Sequence, residues 1–237
     1  MDVRGLEVRM DEYGYENTRA TWIHQQMEEG HVDAVREHIM TVYYPPLVHY
    51  ATALLKGRYA RLAHRYDPED IVGEFFSHRL ESPEYVQRWV EHGRPLRHWL
   101  QEGLRLRFRD LVKPIDRARE TPLGEEWDPA AADVDLEKQF DMEWGRSIVA
   151  KALAEAEAEC RESGFSKHWE VFNEHHIAGK PYSECGGKYE VTPGRAEVMS
   201  RTARDRVRER VRALLRKECH TESEVDAQIA HLMELAR

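Results

Sequence analysis

The sequence lacks any apolar stretch approaching the ~18 residues of a membrane-spanning helix, so we expect no membrane insertion. Its three cysteines, Cys160, Cys185 and Cys219, show no CxxC spacing, which argues against a structural zinc site or a disulfide framework. No Gly-rich phosphate loop or nucleophile elbow is present. The first residues lack the apolar core and cleavage site of a signal peptide, so we expect a cytoplasmic protein.

Strand patterns are also nearly absent, whereas apolar residues recur at helical spacing through most of the chain. The pattern predicts an all-α fold of two helical domains joined by an acidic linker. We expect a flexible N-terminal tail at 1–20, a first domain at 21–113, a linker at 114–140 that contains several acids, prolines and a glycine, and a second domain at 141–218. A C-terminal amphipathic helix is expected at 219–237, with Thr221 as its cap and with Val225 and Met233 on its apolar face.

The net charge of −9 hides two basic segments. Residues 88–119 contain nine Arg and Lys against four Asp and Glu, and residues 188–217 contain ten against four. Two basic segments in an acidic chain indicate two separate contacts with an anionic partner, together with a cationic partner for the acidic remainder.

The first domain contains a helix start at Asp67-Pro68, where Asp67 is a suitable cap and Pro68 suits the first helical position. Glu69 and Asp70 favour the positive end of this helix, and Glu74 follows Asp70 by four residues, so the acids share one outer edge. This edge is either a partner-binding surface or an ordinary solvated face.

A second helix of this domain, predicted from Pro95 to Lys113, has an apolar face and a separate cationic stripe. Like charges four residues apart repel each other, and a polyanion would neutralise them. The alternatives are arginine stems that cover a core edge with their heads in water, and tryptophan in the core. The predicted contact residues are Trp89, Arg94, Arg97, His98, Gln101, Arg105 and Arg109.

Residues 180–216 have the pattern of a helix-turn-helix, although an ordinary helical hairpin remains open. Thr192 is a predicted cap, Pro193 starts a long basic second helix, and Glu190 occupies a turn position where Gly is usual. Gly186 and Gly187 are expected to weaken the first helix by about 1 kcal/mol each. We predict that Arg195, Glu197, Val198 and Arg201 face the DNA major groove, and that Lys188, Thr192, Arg204 and Arg208 contact phosphates.

Together these segments resemble the extracytoplasmic-function (ECF) family of RNA polymerase sigma factors over nearly the whole chain after about Thr18. Residues 67–76, Asp-Pro-Glu-Asp-Ile-Val-Gly-Glu-Phe-Phe, are similar to the family motif Asp/Glu-Asp-Leu-x-Gln-Glu-x-Phe, with Gly73 at the Gln position. The other similar segments are 43–48, 95–110, 181–204 and 224–235.

The resemblance implies a non-enzymatic protein without cofactors that binds core RNA polymerase and directs promoter recognition and strand opening. Glu69, Asp70 and Glu74 would face the clamp of the largest subunit, and the polymerase flap would be a further contact. The loop at 82–93 would capture a flipped base, the cationic stripe would hold the melted strand, and the helix-turn-helix would bind the upstream promoter element. The linker would follow the RNA channel, and an anti-sigma factor is a further candidate partner.

Two other classes of function stay open. The first is a non-sigma helix-turn-helix regulator with a helical ligand-binding or dimerisation domain. The second is a metal enzyme that uses the cluster His168, Glu170, Glu174, His175 and His176. The HExxH spacing is absent, however, and three adjacent residues cannot converge on one point from a helix, so we predict no metal site.

Overall fold

The fold is all-helical throughout the residues that the computed structural model describes, which are 21–80, 82–117 and 129–236, without the side chains of 80, 83, 114–117 and 129–134. The helices are α1 Trp22–Glu28, α2 Val32–Lys56, α3 Pro68–Leu80, α4 Pro83–His92, α5 Leu96–Arg117, α6 Pro129–Glu162, α7 Ser166–Phe172, α8 Tyr182–Tyr189, α9 Pro193–Arg216 and α10 Glu222–Leu235. A 3-10 turn, Ala60–Leu62, follows α2, and a π-helical turn, Asn173–Ile177, extends α7.

Local capping explains three of the helix starts, and each was predicted. The Asp67 side chain accepts from the backbone amide of Glu69 at 2.9 Å at the start of α3. The Thr192 hydroxyl accepts from the Arg195 amide at the start of α9, and Thr221 caps α10 in the same way. Short polar side chains therefore fix these boundaries through amides that have no partner inside the helix.

The predicted linker at 114–140 is helical at both ends. Helix α5 continues through Pro114 to Arg117, beyond its predicted end at Lys113, and α6 begins at Pro129, inside the predicted linker. A proline disturbs the helix only locally, because it removes a single amide donor, so the helix can continue past it. Helix α2 likewise continues through Pro45 and Pro46. Residues 118–128 and the predicted tail at 1–20 lie outside the described residues.

The main core combines residues from both predicted domains. Phe140, Trp144 and Ile148 of α6 are fully buried with the apolar residues of α2, α3 and α5, and Tyr50 of α2 meets Phe140 edge-on at 5.8 Å. Leu214, Leu215 and Val225, from α9 and α10, belong to this same core. The two predicted domains are thus in direct apolar contact in this structure.

Two smaller apolar clusters hold the helix-turn-helix unit. One joins Ala156 and Cys160 of α6 to Trp169, Phe172 and Ala203. The other packs Val171 and Cys185 against Ala196 and Met199 of α9. Of the apolar stripe predicted for α9, Ala196, Met199, Ala203 and Leu214 are buried, and Val207 is partly buried against the first of these clusters. In α10, Val225 is buried as predicted, but Met233 is 61% exposed. The main core covers only part of the apolar side of this helix, and Met233 lies outside the covered part.

A buried polar cluster joins the end of α9 to α2. The Tyr43 hydroxyl donates to Glu218 at 2.5 Å, and the His38 Nε2 lies 2.8 Å from the other oxygen of the same carboxylate. Burial and the Glu218 charge raise the pKa of Tyr43 well above its usual range, so the phenol stays protonated and keeps its donor role. Alongside, the Ile23 amide donates to the Lys217 carbonyl at 3.2 Å.

The turn between α8 and α9 explains one of its two glycines. Glu190 adopts a left-handed conformation with φ 57°, which turns the chain so that Val191 approaches α8. A Cβ at Gly186 would lie 2.6 Å from the Val191 carbonyl oxygen, whereas a Cβ at Gly187 would meet nothing within 4 Å. Gly186 is therefore required by this close approach and Gly187 is not.

We predict opposite effects of alanine at these neighbouring positions. Gly186→Ala should lower the free energy of unfolding by about 1–3 kcal/mol, because backbone atoms must move to admit the methyl group. Gly187→Ala is the matched control and should be neutral or raise it by up to about 1 kcal/mol through helix propensity. Urea unfolding of both variants tests this, and equal effects would contradict the turn geometry.

We also predict that Glu218→Ala strongly destabilises the fold. It leaves the buried His38 ring and the Tyr43 hydroxyl without their shared acceptor, at roughly 1–3 kcal/mol for each group. The control is Glu209→Ala in the preceding helix α9, which removes only an exposed ion pair with Arg216 and should change stability by less than about 0.5 kcal/mol. Thermal unfolding followed by circular dichroism measures both, and similar losses would refute a special role for Glu218.

Candidate nucleic-acid interface

A cationic groove runs along α5 between the end of α2 and the start of α6, with a volume of about 660 Å³. Four arginines and two carboxylates line it, so the excess charge is positive. We call it the α5 groove. Its lining residues are Leu54, Arg58, Tyr59, Arg94, His98, Gln101, Glu102, Arg105, Leu106, Arg109 and Glu137. Five of the seven residues predicted to contact the melted strand are in this set.

Arg97 and Trp89, the other two predicted contact residues, are buried instead. Arg97 is 8% exposed, because α6 and α10 cover its side of α5, and Trp89 is 2% exposed, with its indole donating to the Arg94 carbonyl at 2.7 Å. Gln101 lines the groove but is only 4% exposed. The predicted stripe is therefore not an open face from end to end in this structure.

The arginines that remain at the groove differ in their surroundings. Arg105 donates to the Tyr50 hydroxyl and to Glu137 at 3.1 Å, and Arg94 pairs with Glu102 at 3.1 Å. Arg109 is exposed and forms no ion pair with any residue that the structure describes. Burial and the charge of Arg97 lower the pKa of His98, so His98 adds no positive charge at neutral pH.

Two lining residues, Arg58 and Tyr59, were not predicted from the sequence. They follow the C-terminus of α2, outside both basic segments, and Arg58 lies over the Tyr59 ring at 5.8 Å. No periodic pattern marks them, since they belong to a turn. Only the folding of α2 against α5 brings them to the groove.

A second cleft of about 280 Å³ adjoins the groove and has an aromatic wall. The Trp99 ring lies between Tyr85 and His92, with ring centres 5.5 and 5.1 Å away. Arg79, Arg88 and Arg94 also line this cleft. We call it the α4 cleft, because the segment 82–93, predicted as a base-capturing loop, is mostly the helix α4. Its buried residues Tyr85, Val86 and Trp89 recur at helical spacing, and only residues 82 and 93 of this segment lie outside the helix.

The first turns of α9 form an open face at the other end of the molecule. Arg195, Glu197, Val198 and Arg201 are all exposed, as predicted for residues that face a DNA groove. Val198 is 46% exposed, which is high for a large apolar side chain, and Glu197 pairs with Arg201 at 3.0 Å. Such a face offers both donors and an apolar contact.

The residues predicted to contact phosphates surround this face. Arg204 and Arg208 are exposed and lie 4.0 and 3.9 Å from Asp205. The Thr192 oxygen accepts a capping bond, which leaves its hydroxyl proton able to donate. Lys188 forms an ion pair with Glu174. A phosphate would have to compete with Glu174 for Lys188.

The histidine and glutamate cluster considered as a metal site has other partners. Glu174 pairs with Lys180 at 2.5 Å and with Lys188, and these lysines lower its pKa. His175 stacks on Tyr182 at 3.8 Å, and its Nδ1 lies 2.7 Å from the Lys180 carbonyl. Across the described residues, no three or more His, Cys, Asp or Glu side chains are grouped to hold a metal ion.

The acidic edge of α3 is exposed. Glu69 and Asp70 lie at the surface, and Glu74 pairs with Arg107 at 2.5 Å. Burial raises the pKa of the nearby Tyr44, as do the charges of Glu69, Asp70 and Asp67, so the local potential is negative. This surface suits a cationic partner.

Comparisons with known proteins add no relative: no family model, no curated protein and no solved structure matches the chain. Among the helices described, none has the length and apolar character needed to cross a bilayer. The functional argument therefore depends on the geometry of these surfaces.

We predict that Arg109→Ala weakens binding of single-stranded DNA and lowers its salt dependence. Loss of one phosphate contact should reduce the slope of log K against log salt by about 0.7. The control is Arg65→Ala, which removes an equal charge from an exposed position outside the groove. Fluorescence anisotropy across a salt series measures the slopes, and equal slopes for the two variants would exclude Arg109 from the interface.

Proposed function

We propose that this protein is an ECF-type sigma factor, which binds core RNA polymerase and directs promoter recognition and strand opening in the cytoplasm. The observation that carries the proposal is the presence of two different candidate surfaces at separate places along α6. One is an open helix-turn-helix face, and the other is a cationic groove with an aromatic cleft. The groove meets α6 at Glu137 and the helix-turn-helix unit packs on it at Cys160, which lies about 35 Å further along the helix, or about one turn of duplex.

The helix-turn-helix face is the proposed reader of the upstream promoter element. Its recognition helix α9 starts with exposed side chains, and Arg can bond guanine while Glu can accept from cytosine. Exposed arginines further along α9 are placed for phosphates. The capped, proline-started N-terminus of α9 also favours a nearby phosphate through its free amides.

The α5 groove and the α4 cleft are the proposed site for the melted strand. Arginine side chains hold a single-stranded backbone, and aromatic rings stack on bases of any sequence. Extruding a base costs a few kcal/mol, which stacking against Trp99 and His92 would offset. The adjoining positions of groove and cleft, which share Arg94, would let one strand use both.

The acidic edge of α3 is the proposed contact with the polymerase clamp. The clamp would be the cationic partner that the acidic chain requires, and the edge lies on a helix different from those that line the groove. In this proposal the chain between α5 and α6 follows the RNA channel, and the helix-turn-helix unit also contacts the flap. No catalytic residue or cofactor takes part.

A non-sigma regulator is the second candidate, and one observation favours it. The two predicted domains share a main core, as expected for a one-piece protein that binds duplex DNA by itself. Such a regulator would bind duplex DNA through α9 without polymerase. Co-purification with core polymerase separates the two functions.

We predict that Asp70→Lys weakens binding to core polymerase by about tenfold or more, which corresponds to ~1.4 kcal/mol or more. The reversed charge would repel the cationic surface of the clamp. The control, Glu162→Lys, makes the same charge change at an exposed position at the end of α6. Affinity for labelled core polymerase is measured by titration, with transcription-start mapping after overexpression as a second readout.

Two results would reject the proposal. Wild-type protein that shows no affinity for the polymerase core would reject the sigma function. Equal affinities of Asp70→Lys and Glu162→Lys would reject the α3 edge as the contact surface.

A further inference from the structure

Helix α6 places two carboxylates on the cationic stripe of α5. Asp141 lies 3.2 Å from the Arg97 Nε, and Glu137 lies 3.1 Å from the Arg105 Nη2. The two acids are four residues apart, so they share one face of α6. The stripe predicted to bind an anionic strand is therefore already in contact with anions of the same chain.

Helix α10 supports this contact. Gln228 accepts from the Arg97 Nη1 at 2.5 Å, and His231 Nε2 lies 2.9 Å from the second oxygen of Asp141. The guanidinium of Arg97 also lies over the Trp144 ring at 4.8 Å. Both charged groups are thus enclosed: the side chains of Arg97 and Asp141 are 9% and 15% exposed.

Carboxylates and phosphates compete for guanidinium groups because they accept the same N–H donors with similar geometry. Arg97 cannot bind a DNA backbone while α6 and α10 enclose it, and Arg105 can bind one only by releasing Glu137. Arg109, which also lines the groove, forms no ion pair with these acids and is exposed.

Fold stability alone does not explain this arrangement. A buried ion pair contributes little net stability, since desolvation offsets the attraction. The same part of α6 is already anchored by the buried Phe140 and Trp144. Carboxylates on this face occupy the N–H donors of the arginines, which apolar residues would leave unoccupied.

We propose that Glu137 and Asp141 are an intramolecular competitor for single-stranded nucleic acid at the α5 groove. In the free protein α6 and α10 hold Arg97 and Arg105 against carboxylates, and a strand gains the full use of these two arginines when the start of α6 leaves α5. This inference rests on the proposed function, because it names the regulation of the same groove.

The test compares two double variants of α6 with equal charge. Glu137→Gln with Asp141→Asn removes the competitor, and Asp135→Asn with Glu143→Gln removes two acids that do not contact α5. The probe is a short fluorescein-labelled single-stranded oligonucleotide, and anisotropy gives its affinity for the full chain. The first variant should bind about tenfold tighter than the control variant, within the range of measured coupling between sites.

Equal affinities of the two double variants would overturn the inference, since the gain would then reflect net charge alone. Circular dichroism of both variants checks that the helices remain folded. Gln228→Ala gives a second route, because it loosens the hold on Arg97 without a change of charge and should also increase affinity, by a smaller factor.

Hydrogen exchange of the wild-type protein provides a measurement that needs no variant. Saturating oligonucleotide should accelerate exchange of the amides at 135–145 relative to those at 150–160. Unchanged protection at 135–145 with the oligonucleotide bound would overturn the inference. A core-polymerase titration with the same proteins reports on the sigma function separately, so that loss of polymerase binding leaves the oligonucleotide comparison interpretable.

Discussion

The burial of α6 in two separate apolar clusters is the constraint on which the rest of the structure depends. Its residues from Phe140 to Ala152 lie in the main core, and Ala156 and Cys160 lie in the small cluster beneath the helix-turn-helix. One helix thus determines where both candidate surfaces lie. It also brings Glu137 and Asp141 onto α5, so the position of one helix sets both the reach of the molecule and the state of its groove.

The two surfaces differ in their readiness to bind. The helix-turn-helix face is open, and most of its side chains need no rearrangement to meet a duplex. At the groove, in contrast, Arg94 and Arg105 already have carboxylate or hydroxyl partners, so binding to these two arginines must exchange one set of hydrogen bonds for another. In the proposed function, duplex recognition and strand capture would therefore have different energetic requirements.

Sequence patterns predicted the elements well and their mutual contacts poorly. The caps at Asp67, Thr192 and Thr221 were identified because capping depends on residues only two or three positions apart. The burial of Arg97 was missed because its partners, Asp141 and Gln228, are distant in the chain and no period links them. The extension of α5 past Pro114 was missed because a proline weakens a helix without always ending it. The requirement for glycine at 186 was not predicted, because it depends on the close approach of the Val191 carbonyl, which arises only in the folded turn.

Helix α9 is fixed at its C-terminal end, so a tilt of the helix moves its N-terminal end the most. Its first turn faces the proposed DNA site, and its last residues lead to Glu218, which is fixed to Tyr43 and His38 of α2. A rod of 24 residues is about 36 Å long, so a tilt of about 5° displaces its end by about 3 Å, as far as a hydrogen bond reaches. A small tilt of α9 on a bent duplex would thus strain the hydrogen bonds of Glu218 to Tyr43 and His38.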